Sequence, residues 1–246
     1  MSKEIIRIEN LCRNFIVGEE TVHALREVSF SIEPGEFVTI MGTSGSGKST
    51  LLNMLGCLDT PSSGDYFLDG LSVREMDKDD RATTRNMKIG FVFQSYNLLP
   101  KTTAIENVEL PLIYNPAVSS KERRERAIRA LKEVGLGDRL HHTSNQMSGG
   151  QQQRVAIARA LVNNPVIILA DEATGNLDTH TSFEILALFQ RLYRDGRTIL
   201  FVTHNPELAK FCSRNILLRD GKVIDDKKNL NIASAEEALA ALPKED

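Results

Sequence analysis

Apolar and polar positions change their period along the chain, and each change predicts an element. Residues 4–8 alternate, residues 22–32 are β-rich with interruptions, and residues 37–41 form an unbroken apolar run. Alternation suits half-buried strands and the unbroken run suits a strand buried on both faces, so a parallel or mixed sheet is expected to start here. After a glycine-rich stretch, residues 49–58 read as a helix, Pro61-Ser62-Ser63-Gly64 as a turn, and residues 66–70 as a strand entering a hairpin turn. In the middle of the chain Ala127, Ile128, Leu131 and Val134 recur at helical spacing among many charges, which predicts a surface helix over residues 121–134 with one buried face. Two apolar runs, 166–170 and 198–202, flank a helical stretch at 181–193, and this strand, helix, strand order implies parallel pairing. Residues 216–219 and 222–224 around Asp220-Gly221 read as a hairpin. Ser234 and Glu237 have capping-box spacing ahead of a short helix stopped by Pro243.

The bulk composition narrows the partners. A chain of 246 residues that is 41% hydrophobic supports a buried core, either one large α/β domain or a core with a subdomain. A net charge of −3 does not ask for nucleic acid as a partner. Cys12, Cys57 and Cys212 are an odd number without ligand spacing, which suits buried thiols in a reducing compartment rather than a disulfide or a structural metal. The N-terminus lacks a signal-peptide stretch, and no run approaches the roughly 18 apolar residues of a spanning helix. The expectation is a cytoplasmic chain that does not itself cross a bilayer.

Candidate chemistry begins at Gly42-Thr43-Ser44-Gly45-Ser46-Gly47-Lys48-Ser49-Thr50, which fits the P-loop pattern GxxxxGK[ST] between an expected strand and an expected helix. Such a loop aims backbone N–H groups at phosphate oxygens, the helix N-terminus adds partial positive charge, and Lys48 adds a full one. Ser49 can place a hydroxyl on Mg²⁺. A second anchor is the apolar run ending in Asp171-Glu172, which delivers two carboxylates to the strand edge where α/β sheets bind ligands. Beside a P-loop, Asp171 reads as the carboxylate that holds Mg²⁺ and Glu172 as the group that polarises a water for attack on the γ-phosphate.

A third anchor is Ser148-Gly149-Gly150-Gln151, preceded by Met147 and followed by a helical stretch with Arg154, Val155, Ala158 and Leu161. A serine hydroxyl and glycine N–H groups at a helix N-terminus make a second anion site. This string resembles the signature of the ABC (ATP-binding cassette) family, and the resemblance spans roughly residues 4–226 with the motifs in the family's order. By that resemblance Phe15 would stack on adenine, Gln94 would report Mg²⁺ and γ-phosphate occupancy, and Gly175-Asn176-Leu177-Asp178 would touch a second subunit. His204 would be the switch histidine. Val22-His23-Ala24-Leu25, Asn97-Leu98-Leu99-Pro100 and the residues 170–178 resemble the subfamily of macrolide export, lipoprotein release and cell-division complexes. Ala173 stands where that subfamily usually has proline, which is expected to loosen the loop after Glu172.

The resemblance implies an α/β fold: a P-loop core with a small antiparallel β-subdomain and an inserted helical subdomain. The expected segments are 1–94 and 154–227 for the core, 95–153 for the insertion ending in the signature, and 228–246 for a helical tail. It further implies a head-to-tail homodimer with ATP and Mg²⁺ at the interface, permease subunits as partners, and a place at the cytoplasmic face of the membrane. Tyr96 with Leu98 or Leu99 is expected to line a groove for a permease helix. The alternative kept is a subunit that transmits force without moving cargo. A small-molecule kinase would have no use for Ser148-Gly149-Gly150 or His204, a soluble ABC protein of DNA repair or translation would need a long coiled-coil insertion or two cassettes in one chain, and Glu172 and His204 argue against a binding scaffold that cycles ATP poorly.

Overall fold

A computed structural model describes residues 4–243. The expectation made of the N-terminus, where it falls on residues 1–3, and the outer ends of the first and last expected segments lie outside the described residues. Strands β1 (Ile6–Val17) and β2 (Glu20–Ile32) are followed by β3 (Phe37–Met41), α1 (Lys48–Leu55), β4 (Ser63–Leu68) and β5 (Leu71–Ser72). Then come α2 (Lys78–Lys88), β6 (Ile89–Phe93), α3 (Ala104–Ile113), α4 (Ser120–Glu133), α5 (Gly149–Leu161) and β7 (Ile167–Asp171). The chain closes with α6 (Thr179–Arg194), β8 (Ile199–Thr203), β9 (Arg214–Arg219), β10 (Lys222–Lys228) and α7 (Ala235–Ala240).

Two sheets result. One is antiparallel in the order β2-β1-β4-β5, and the other runs β10-β9-β3-β8-β7-β6. In the second sheet β9, β3, β8, β7 and β6 are parallel neighbours and β10 is antiparallel to β9. The first two expected strands therefore do not enter the parallel sheet. Only the turn Gly18-Glu19 separates β1 from β2, too short for a parallel crossover, so they pair as a hairpin. The turns Asp69-Gly70 and Asp220-Gly221 hold both residues at positive φ, as a type I′ hairpin turn requires. Helix α1 stops at Leu55 rather than 58 because Gly56 closes it and Cys57 turns to a φ of 53°.

Alternation along the central strands divides the core. Phe37, Ile168, Ala170, Ile199 and Phe201 face a cluster built with α3, α4, α5 and α6. Their neighbours Val38, Ile40, Ile167, Leu169, Leu200 and Val202 face the other way, onto α1 and the antiparallel sheet. Three layers follow, with the parallel strands buried on both faces. Phe201 meets Phe189 edge-on at 5.5 Å and Phe37 at 6.4 Å, which ties β8, α6 and β3 together at about 0.5–1.5 kcal/mol per ring pair beyond area burial. Cys57 and Cys212 are buried free thiols, and burial pushes them up to about 11 and about 12. Among the described residues no helix is long and apolar enough to cross a membrane.

Candidate functional site

Parallel pairing brings the ends of the central strands to one edge. Met41 is in register with Thr203, Phe93 with Asp171, and Asp171 with Val202. The next residues along the chain are Gly42, His204, Gln94 and Glu172, so four segments far apart in sequence converge where an α/β sheet binds ligands.

The loop after β3 turns into α1 at Gly47, whose φ of 102° lies where L side chains are strained; a Cβ there would also sit 2.6 Å from the Ala24 carbonyl oxygen. No side chain caps α1 and its first turn holds no acidic residue, so its leading N–H groups stay available to an anion. Lys48 is buried and its Nζ donates to the carbonyls of Gly42 and Thr43, both at 2.8 Å. The ammonium is thereby held against the loop. Ser46 is buried beneath it, and its carbonyl accepts the N–H of Gly221 at 3.0 Å, which braces the loop against the β9-β10 turn. Ser44, Gly45, Gly47, Lys48, Ser49 and Thr50 line a cleft of about 910 Å³ with Glu172 and His204.

Across that cleft, Glu172 has a φ of 44°, a conformation held by its N–H on the Val202 carbonyl at 2.9 Å and its own carbonyl on the Gly175 N–H at 2.8 Å. His204 Nδ1 lies 2.7 Å from Glu172 Oε1. An ionised carboxylate only accepts, so Nδ1 carries the proton toward Glu172 and Nε2 is the nitrogen left for another partner. Burial raises the Asp171 carboxyl above its ordinary range, the neighbouring Glu172 adds to the rise, and Lys48 opposes it. A cation at Asp171 would relieve that cost.

Gln94 sits beside this pair: its Nε2 donates to Asn176 Oδ1 at 3.0 Å, and Asn176 Nδ2 donates to the Gln94 carbonyl at 3.2 Å. Asp178 caps α6 by accepting the Thr181 N–H at 2.8 Å, and hydrogen bonding from Thr181 holds its carboxyl below the usual range. Ser148 caps α5: its Oγ accepts the Gln151 N–H at 3.3 Å while Gln151 Oε1 accepts the Ser148 N–H at 3.0 Å. Gly149 abuts Tyr96 and Leu177, Gly150 abuts Thr181, and none of these signature residues lines the cleft. Phe15 is 37% exposed near the end of β1, beneath the Arg13 guanidinium at 4.6 Å; it does not line the cleft itself, but its cross-strand partner Val22 does.

Residues 25–175, more than half of the chain, match the ABC transporter family. The chain belongs to that family. An uncharacterized ABC transporter ATP-binding protein of Thermotoga maritima is 56% identical over 221 residues, covering 90% of this chain and 94% of the relative. The macrolide export ATP-binding/permease protein MacB of Syntrophobacter fumaroxidans is 51% identical over 89% of this chain, which spans 31% of MacB. Among solved structures, the dimeric post-hydrolysis state of the cassette MJ0796 bound to ADP and Pi has a TM-score of 0.82 at 49% identity, covering 91% of this chain and 98% of that one. MJ0796 is a protein of Methanocaldococcus jannaschii. This ABC protein is the ATP-binding, ATP-hydrolysing subunit of its transporter, with the α/β P-loop fold of the family.

Several contacts that fix the ABC site run between its motifs and distant segments, and residue order does not announce those pairings. Gln153 is fully buried in α5 and donates to the Ala173 carbonyl at 2.6 Å. Ala173 is itself buried at 1% exposure, so the loop expected to loosen without proline is packed and hydrogen-bonded in place. Arg159 donates to the carbonyls of Tyr96 and Asn97 at 2.8 and 2.6 Å, holding two consecutive residues at positive φ. Gln153 falls among the buried positions of α5, where a polar side chain needs a partner, whereas Arg159 lies on another side of the helix and is half-buried.

Proposed function

We propose that Lys48, the N–H groups of residues 43–50 and the start of α1 hold the ATP phosphates, with Phe15 and Val22 at the base end of the cleft. The donor set Ser49 hydroxyl, Asp171 carboxylate and Gln94 amide oxygen is all hard oxygen, which fits Mg²⁺. Among the described residues no cluster of three His, Cys, Asp or Glu offers a cage of its own, so the ion would share its coordination with phosphate oxygens. When bound, Mg²⁺ neutralises charge on those oxygens. Glu172 takes the proton of the attacking water, and His204 keeps the carboxylate aimed and carries Nε2 toward the γ-phosphate position. The 2.7 Å contact of His204 with Glu172, in the same cleft as Lys48, is the observation that carries this reading. Turnover measured in Glu172→Gln tests it.

The second half of the reading concerns partners. Two copies meet head to tail, so that each ATP lies between Lys48, Ser49, Asp171 and Glu172 of one subunit and Ser148, Gly149, Gly150 and Gln151 of the other, with Asp178 at the seam. Residues 95–153 form the arm that carries the signature, residues 1–94 and 154–227 the core, and residues 228–246 the tail. The complex sits at the cytoplasmic face of the membrane through permease subunits, as the names of the transporter relatives support. Transport is favoured over cargo-free force transmission on the same ground.

The expected docking cluster is divided by the fold. Leu98 packs against the helical core, Leu99 is 46% exposed, and the Tyr96 hydroxyl lies over Gly149. Next to them an apolar groove of about 830 Å³ is lined by Met87, Phe91, Phe93, Asn97, Tyr114 and Pro116 among others. The permease helix docks there, with Tyr114 at 78% exposure as its most exposed aromatic anchor. Tyr114→Ser with Met87→Ser leaves the isolated subunit folded and ATP-binding but lowers permease-stimulated ATPase; unchanged stimulation would move the docking surface elsewhere.

A further inference from the structure

Asn176 lies in the loop between Glu172 and α6, and its side chain makes two bonds to one residue, Gln94. The chemistry of those bonds fixes two amide orientations in turn. A backbone carbonyl can only accept, so the atom of Asn176 facing the Gln94 carbonyl at 3.2 Å must be the amide nitrogen. That places Asn176 Oδ1 on the other side, where it too can only accept, and the atom of Gln94 facing it at 3.0 Å must be Nε2. Gln94 therefore has its amide oxygen, and not its NH₂, left for a further partner; among the described residues no hydrogen bond engages Oε1. A rotated Gln94 amide would set an oxygen against an oxygen at Asn176.

Close packing reinforces the choice. A Cβ at Gly175 would stand 2.7 Å from Gln94 Nε2, so the loop backbone lies directly against the nitrogen end of the Gln94 amide. Gln94 follows Phe93, which is in register with Asp171. An oxygen ligand and a carboxylate are thus offered from adjacent strand ends, and a hard divalent cation distinguishes sharply between an amide oxygen and an amide nitrogen.

We propose that Asn176 is a positioning residue for the nucleotide's divalent cation: by exchanging hydrogen bonds with Gln94 it locks the glutamine flip that presents oxygen to the metal. This rests on the reading of Gln94 as a metal ligand, and it goes further in assigning a role to a side chain that touches neither nucleotide nor metal. It also gives the loop before Asp178 a direct hold on the metal site within one subunit.

The test measures cation binding rather than turnover. Mn²⁺ affinity is read by electron paramagnetic resonance on the full chain loaded with a non-hydrolysable ATP analogue, in the wild type, Asn176→Leu, Gln94→Ala and the double variant. Asn176→Leu removes both bonds at similar volume and is expected to weaken Mn²⁺ roughly three- to tenfold, the worth of one hydrogen bond, with an unchanged thermal midpoint. Gln94→Ala is expected to weaken it at least as much, and adding Asn176→Leu to it to change nothing more. If Gln94→Ala weakens Mn²⁺ but Asn176→Leu does not, the role of Asn176 is wrong and the ligand reading of Gln94 stands. If Asn176→Leu weakens Mn²⁺ equally in the Gln94→Ala background, Asn176 acts by another route and the inference fails. Unchanged Mn²⁺ affinity in Gln94→Ala overturns the ligand reading itself.

Discussion

Two glycine-containing loops in this cassette each lead into a helix, and they are built to opposite ends. At the loop before α1 no side chain caps the helix, and a buried ammonium, Lys48, is folded against the backbone. At the loop before α5 the Ser148 hydroxyl and the Gln151 amide close a capping box, and among the described residues no lysine or arginine hydrogen-bonds to residues 147–151. The first loop offers an anion a full charge and open N–H groups; the second offers partial charge alone, with its serine already engaged. The proposed function therefore assigns nucleotide binding and subunit closure to separate loops of one chain. On the proposed reading, the first loop suffices for binding, and the second contributes only when another copy brings it a phosphate.

Substitutions can separate the two properties. The largest effect is expected at Glu172→Gln, where the amide keeps the shape but is a poor proton acceptor: turnover falls by roughly 10²–10⁴-fold with ATP affinity preserved, measured by phosphate release beside calorimetry. Normal turnover would remove Glu172 from the catalytic role. Lys48→Ala strikes binding itself, with ATP affinity lower by roughly ten- to a hundredfold at fixed salt, since one charge-assisted contact is lost from a site of partial charges. An unchanged affinity would mean that the backbone alone carries the phosphates.

The smallest effect has the opposite sign. The Asp171 carboxyl is raised, mainly by burial and then by Glu172, so its folded pKa lies above its unfolded one. Ionising it costs folded-state stability; the cost is absent below the ordinary carboxylate range and grows as pH rises through the raised value. Asp171→Asn is accordingly more stable than the parent near neutral pH, by no more than about 4 °C in thermal midpoint, and equal to it in acid. Scanning calorimetry of the nucleotide-free protein across pH reads the sign directly.

The contrast between the loops also explains what could be read from residue order. The P-loop, Asp171-Glu172 and the signature are contiguous strings whose chemistry is local, and the central strands announce themselves by unbroken apolar runs. Helix α2 escaped because only Thr84 in it is buried, leaving no apolar stripe; its mark is the Asp77 cap on Asp79 and Asp80. Helix α3 was masked by Pro111 inside it, although Thr103 and Glu106 form a capping box. The extended β1-β2 hairpin was hidden by bulges that interrupt alternation between Ile8 and Asn14. The bonds from Gln153 to Ala173, from Arg159 to Tyr96 and between Asn176 and Gln94 join residues 20, 63 and 82 positions apart, and such contacts leave no period to find.

The central claim is that one ATP is held by two copies of the chain through two unlike loops, and ATP-dependent dimerisation tests it most directly. In the Glu172→Gln background, sedimentation velocity with ATP should show a stable dimer. Adding Ser148→Arg, which puts a bulky cation where the partner's γ-phosphate belongs, should leave a monomer whose ATP affinity is unaltered. A dimer that forms equally well in the variant carrying both substitutions would contradict a shared site.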